Sequence, residues 1–150
     1  MKRFVIALLL ALIVAFPIAA ASNSFAVGLN LGAGASLAGQ FQMDKLTINA
    51  NLGYGFLGGY LSADAWADYR VADFDIGDEH FWVTAGAGAN VGLVGNTFLL
   101  SAIAPVGVVY PLNNKDIPLD IYFRFHPGVK ILPDLGFYWD AYFGAMWHFD

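Results

Sequence analysis

A chain of 150 residues is enough for one domain, yet 58% of it is hydrophobic and only 13% charged, where soluble domains carry about 25% charged residues. Twelve acids against seven bases leave a net charge of −5, which argues against nucleic acid as a partner. The absence of cysteine excludes a disulfide framework and the lipid anchor of a bacterial lipoprotein.

The chain opens with MKRFVIALLLALIVAFPIAAAS. Lys2 and Arg3 form a positive start, residues 4–16 an apolar run, and Pro17 ends it. Ala19-Ala20-Ala21 then offers a small-residue cleavage site before Ser22. This pattern predicts a secretory signal peptide over 1–21, ahead of a single domain over 22–150. A retained N-terminal anchor is the alternative. Beyond this segment no stretch approaches the roughly 18 unbroken apolar residues of a membrane helix. High apolarity with strand periodicity points instead to membrane-crossing strands.

FAVGLNLGAGASLAGQFQM, residues 25–43, alternates apolar with small or polar residues. A period of two means strand, with the two sets on opposite faces. The stretch exceeds the roughly 9–11 residues of one membrane strand, so a turn is expected at 32–35, between strands near 25–31 and 36–43. Asp44-Lys45 is a turn. In LTINANLGYGF, Leu46, Ile48, Ala50, Leu52, Tyr54 and Phe56 share one face, and Gly58-Gly59 turns the chain. In YLSADAWADYR, Ser62, Asp64, Trp66, Asp68 and Arg70 oppose the alanines, Leu61 and Tyr69. The acidic DFDIGDEH is expected to be a loop. FWVTAGAGANVG is the fifth strand and Gly95-Asn96 a hairpin signal. TFLLSAIAPVGVVY is the sixth strand, LDIYFRFHPGVKI the seventh and FYWDAYFGAMWHF the eighth. Pro105 and Pro127 lie within strands, where the missing N–H predicts bulges or bends.

Eight strands with short connections predict an all-β fold: a closed, up-and-down antiparallel eight-stranded membrane β-barrel, in which closure removes the edges. Two orientations compete. In a soluble periplasmic lipocalin-like binder the Phe, Val and Leu set fills the inside. In a membrane barrel it faces lipid, and the small polar set fills the lumen. That second set is rich in glycine and holds almost no lysine or glutamate, unlike a soluble exterior. The lipid-facing orientation of Phe25, Val27 and Leu29 follows. Phe25, Phe41, Phe56, Phe81, Phe98, Phe137 and Phe149 lie near strand ends, as in the aromatic girdles of such barrels. With both termini on the periplasmic side, the connections at 72–80 and 111–117 are periplasmic and the outward turns are short, the reverse of the usual arrangement.

The lumen-facing set carries a constellation of charges of both signs: Asp64, Asp68, Arg70, Asp120, Arg124, Lys130 and Asp140. One reading is a salt-bridged plug that satisfies buried charge; the other is a narrow ion path. The small bore of eight strands favours the plug. No nucleophile, paired-histidine zinc or phosphate-loop motif is present, so no enzymatic activity, cofactor or metal is expected. His126 and His148 fall on neighbouring strands, near Asp120 or Asp140, as hydrogen-bonded lumen residues. Asp73, Asp75, Asp78 and Glu79 offer carboxylates to calcium, but without EF-hand spacing, and a solvated loop is the expectation.

The last strand carries Tyr142, Gly144, Trp147 and Phe149 at the spacing of the terminal signal of bacterial outer-membrane barrels, here followed by Asp150. PLDIYFRFHPGVKILP, residues 118–133, resembles a segment of a spirochaetal-type family of small outer-membrane β-barrels without assigned function, and AIAPVGVVYPL is similar to the family's sixth strand. The resemblance implies a fold like the OmpA transmembrane domain, residence in the outer membrane, lipid as surroundings and recognition of the terminal signal by the barrel-assembly machinery. It supplies no catalytic residues. Three functions stay open: a structural or interaction barrel, a small channel or carrier of ions or apolar molecules with a lateral opening, and the soluble ligand binder.

Overall fold

The computed structural model describes residues 24–112 and 116–149. The expected signal peptide lies outside them. The strands are β1 (Ser24–Gly32), β2 (Gly34–Met43), β3 (Leu46–Gly55), β4 (Tyr60–Ile76), β5 (Glu79–Val94), β6 (Thr97–Ile103), β7 (Val106–Pro111), β8 (Leu119–Leu132) and β9 (Gly136–Phe149). Each pairs antiparallel with its neighbours, and β9 returns to β1, with Phe25 opposite Phe149 and Gly32 opposite Tyr142. β6 and β7 share one place in the ring, each lying between β5 and β8. The result is a closed antiparallel ring of eight strand positions. The turn expected at 32–35 is present, reduced to Ala33 between β1 and β2.

Alternation sets the two faces. Asn30, Asn49, Asn51, Asp64, Asp68 and Arg124 are all buried, each at most 7% exposed, whereas Leu29, Leu61, Phe137, Trp139 and Phe143 are each at least 55% exposed. The polar set therefore lines the inside and the apolar set the outside, the inverse of a water-soluble protein. Phe41 is the exception, buried at 6% on an outward parity. Inward glycines let the walls approach. At Gly144 an added Cβ would overlap the Asn30 amide oxygen and the Tyr122 ring.

Three expectations are corrected. The acidic stretch DFDIGDEH is not a loop: β4 runs on to Ile76, β5 begins at Glu79, and only Gly77-Asp78 turn between them. Gly77 supplies the positive φ, 62°, that a primed hairpin turn requires. Across the hairpin Phe74 stacks on Phe81 at 5.2 Å, and His80 Nδ1 lies 2.6 Å from Asp75 Oδ1. This extension follows a bulge between Arg70 and Ala72.

The sixth strand is broken at Ala104-Pro105, as a proline without a ladder donor requires. The gap is bridged: the Gly86 N–H donates to the Pro105 carbonyl and the Ala104 N–H to the Pro127 carbonyl, both at 2.8 Å. At these points the break is therefore no lateral opening. Pro127, by contrast, makes no bulge; it pairs with Trp139 in an unbroken β8–β9 ladder. In an extended strand a residue's N–H and C=O point to the same side, so the missing donor of Pro127 faces the break rather than β9. The β6–β8 ladder instead shifts register between Leu100 and Ser101.

Candidate functional site

The interior of the ring is built by inward parity on all nine strands, with Thr84 and Asn90 on β5, Ser101 and Ile103 on β6 and Val109 on β7 buried beside the residues of the others. Of the seven charged residues expected there, Asp64, Asp68, Asp120 and Arg124 are buried, and Arg70, Lys130 and Asp140 are half-buried. They do not form one network. Asp64 and Asp140 line a cavity beside the 33 and 56–59 turns, while Asp68, Arg70, Asp120 and Arg124 line a second one beside the 44–45 turn.

Among the described residues the seven make one ion pair with each other, Arg124 Nη2 to Asp68 Oδ2 at 3.8 Å. Asp64 accepts a hydrogen bond from its cross-strand partner Asn90. Asp120 meets His148 Nε2 at 2.7 Å, as the sequence anticipated. Arg70 reaches Asp73 at 4.0 Å and stacks over Trp82 at 3.8 Å. Asp140 accepts from the Ala141 N–H at 2.8 Å, and the Lys130 side chain lies over Gly136. The expectation of paired charges is thus corrected: neutral amides and aromatic faces do most of the matching.

Residues missed as site members fill the middle. The Tyr122 hydroxyl donates to Asn30 Oδ1. Asn30 Nδ2 donates to Asn51 Oδ1 at 3.1 Å and to Ser36 Oγ at 2.9 Å. Asn51 Nδ2 donates to the Tyr142 hydroxyl at 3.0 Å, which is hydrogen-bonded to His126 Nε2 at 2.9 Å. Trp66 Nε1 donates to Asp68 Oδ2 at 3.1 Å. The Arg124 guanidinium lies 4.4 Å from the Tyr122 ring centre and 5.2 Å from that of Trp66. Strand parity was the signal that could have found these residues, since each sits on the same face as the charges.

Little space remains. The cavities at the two ends measure ≈ 30 Å³ and ≈ 20 Å³, room for a water or two. Arg124 Nε and Nη1, Asp68 Oδ1, Asp120 Oδ1 and His126 Nδ1 have no protein hydrogen-bond partner. No group of three or more metal-ligating side chains occurs among the described residues. In the acidic hairpin Asp75 is engaged by His80 instead. Of the terminal motif, Tyr142 points inward and is 5% exposed, while Trp147 and Phe149 are about half exposed on the outside, at 47% and 54%. Phe149 stacks on Phe25 at 6.4 Å.

No family model matches the chain, and no curated protein matches it. Among solved structures, the crystal structure of Neisserial surface protein A is similar over 84% of this chain and 94% of that chain, at 14% identity and a TM-score of 0.48.

Proposed function

We propose that this protein is an integral β-barrel of a bacterial outer membrane, with a structural or interaction role and a lumen closed by its own side chains. The observation that carries the reading is the inverted distribution of polarity: buried asparagine, aspartate and arginine inside, exposed leucine and aromatic residues outside. In water such an exterior would be a continuous apolar patch far beyond what soluble monomers expose. In lipid it is the expected lining, and a closed ring leaves no unpaired backbone at membrane depth. From Leu61 to Tyr69, eight residue steps on β4, the outer face runs about 27 Å along the strand and about 20 Å across the membrane at a tilt near 40°. The apolar band of known barrels is about 25 Å tall.

The packed middle favours a closed lumen over an ion path. His126, Met146, Asn30 and Asn49 are essentially without exposure, and His126, Met146 and Asn49 line neither end cavity. A non-catalytic role is the reading: the Tyr142 hydroxyl and His126 Nε2, hydrogen-bonded at 2.9 Å, are 5% and 0% exposed and tied into the packed interior through Asn51. The terminal residues Tyr142, Gly144, Trp147 and Phe149 are assigned to recognition by the barrel-assembly machinery during insertion, beside the packing that Tyr142 and Gly144 provide.

The test is fractionation of cells without detergent, followed by electrophoresis of protein refolded in micelles, with and without heating. The expected outcome is recovery with outer membranes and a folded band that shifts on heating. A soluble periplasmic protein that folds without detergent would overturn the reading.

A further inference from the structure

The ring is closed, but β4 and β5 rise above it. Tyr69 is the last β4 residue paired to β3, opposite Leu46, and the Arg70 N–H makes one more contact, with the Lys45 carbonyl at 3.0 Å. Residues 72–76 pair only with β5, and no described strand flanks their other side. Seven residue steps separate Tyr69 from Ile76, so the ribbon stands about 20 Å clear of β3. Along its edge every second N–H and C=O faces outward. A two-stranded ribbon is marginal by itself, and a third strand would complete it.

The side chains on this edge alternate. Ala72, Phe74 and Ile76 share one face, and Phe74 and Ile76 are 38% and 63% exposed. Asp73 and Asp75 share the other; Arg70 and His80 approach them at 4.0 and 2.6 Å, yet the aspartate side chains stay 50% and 68% exposed. A second copy of this chain does not suit the edge. Every well-overlapped antiparallel register that keeps the faces aligned sets Asp73 or Asp75 opposite an aspartate, and like charges directly opposite are destabilising. A strand with lysine or arginine on one face and apolar residues on the other reverses both terms. We propose that the free edge of β4 over residues 71–76 is a docking edge for an extended segment of a partner protein, in which basic residues alternate with apolar ones. The segment adds as a third strand: main-chain hydrogen bonds hold it, and the aspartates with Phe74 and Ile76 select it.

The experiment uses the protein refolded in zwitterionic micelles and a short fluorescein-labelled peptide of alternating lysine and valine, followed by fluorescence anisotropy. The expected result is saturable binding, weakened at least about tenfold when alternate peptide nitrogens are methylated. Hydrogen exchange over 71–76 slows when the peptide is bound. In the doubly substituted protein, Asp73→Lys with Asp75→Lys, preference passes to the matching glutamate–valine peptide; both sites are exposed, so the ring stays intact. Binding indifferent to methylation and to charge reversal would mean adsorption to the micelle or to the apolar rim, and would overturn the proposal. So would the absence of saturable binding, leaving the aspartates as guards that keep the edge unpaired.

Discussion

A guanidinium 2% exposed sits where desolvation is most expensive, and Arg124 is matched only in part. Its Nη2 faces Asp68 at 3.8 Å and Gln40 Oε1 at 3.4 Å, while two aromatic rings cover its faces. Removing one member of such a pair strands the other. Arg124→Met is therefore expected to destabilise the folded protein by about 3–5 kcal/mol, read from the denaturant midpoint in micelles. Asp68→Asn together with Arg124→Met removes both charges and is expected to recover most of that loss. A double variant no more stable than Arg124→Met alone would mean that the pair is not what holds the two residues in place. The same crowding explains Gly144, which meets Asn30 and Tyr122 across the interior and so has a packing reason to be glycine besides its place in the terminal motif.

At the scale of elements, parity was legible and connectivity was not wholly so. LTINANLGYGF reads correctly from the sequence because both of its faces are uniform: Thr47, Asn49 and Asn51 go in and Leu46, Ile48 and Leu52 go out. DFDIGDEH misleads because its acids suggest a solvated loop, although Phe74 and Ile76 keep the period of two across it. Composition outweighed periodicity, and the cross-strand Phe74–Phe81 stack was invisible without the register. Pro127 misleads for a different reason: a proline disrupts only the side to which its N–H points, and one sequence does not give that side. Which charge meets which partner was hidden likewise, because pairing across the interior joins strands far apart in the chain, as Asn51 joins Tyr142. The same contrast predicts uneven stability along β4. Residues 61–69, held by strands on both sides, are expected to exchange their amide hydrogens far more slowly than 72–76, held on one side. Mass-resolved hydrogen exchange in micelles checks this, and equal protection would mean that something already covers the free edge.

For the whole molecule, the question is whether a ring lined with charge conducts. Charged walls favour ions only where water can follow them, and an eight-stranded ring is just wide enough for its side chains. Here Tyr122 and Tyr142 reach in from β8 and β9 and are tied through Asn30 and Asn51 to β1 and β3, so the hydrogen bonds that satisfy the interior also span its bore. Opening a path would exchange the hydrogen bonds of this chain for water, at about 0.5–1.5 kcal/mol each. Wild-type protein in planar bilayers is accordingly expected to show no steady conductance. Tyr122→Ala with Tyr142→Ala removes both crossing side chains and should admit water and a measurable ion current, provided heat-modifiability shows that the ring still forms. A steady current through the unaltered protein would place the charges on a conducting path and return the ion channel as the function to pursue.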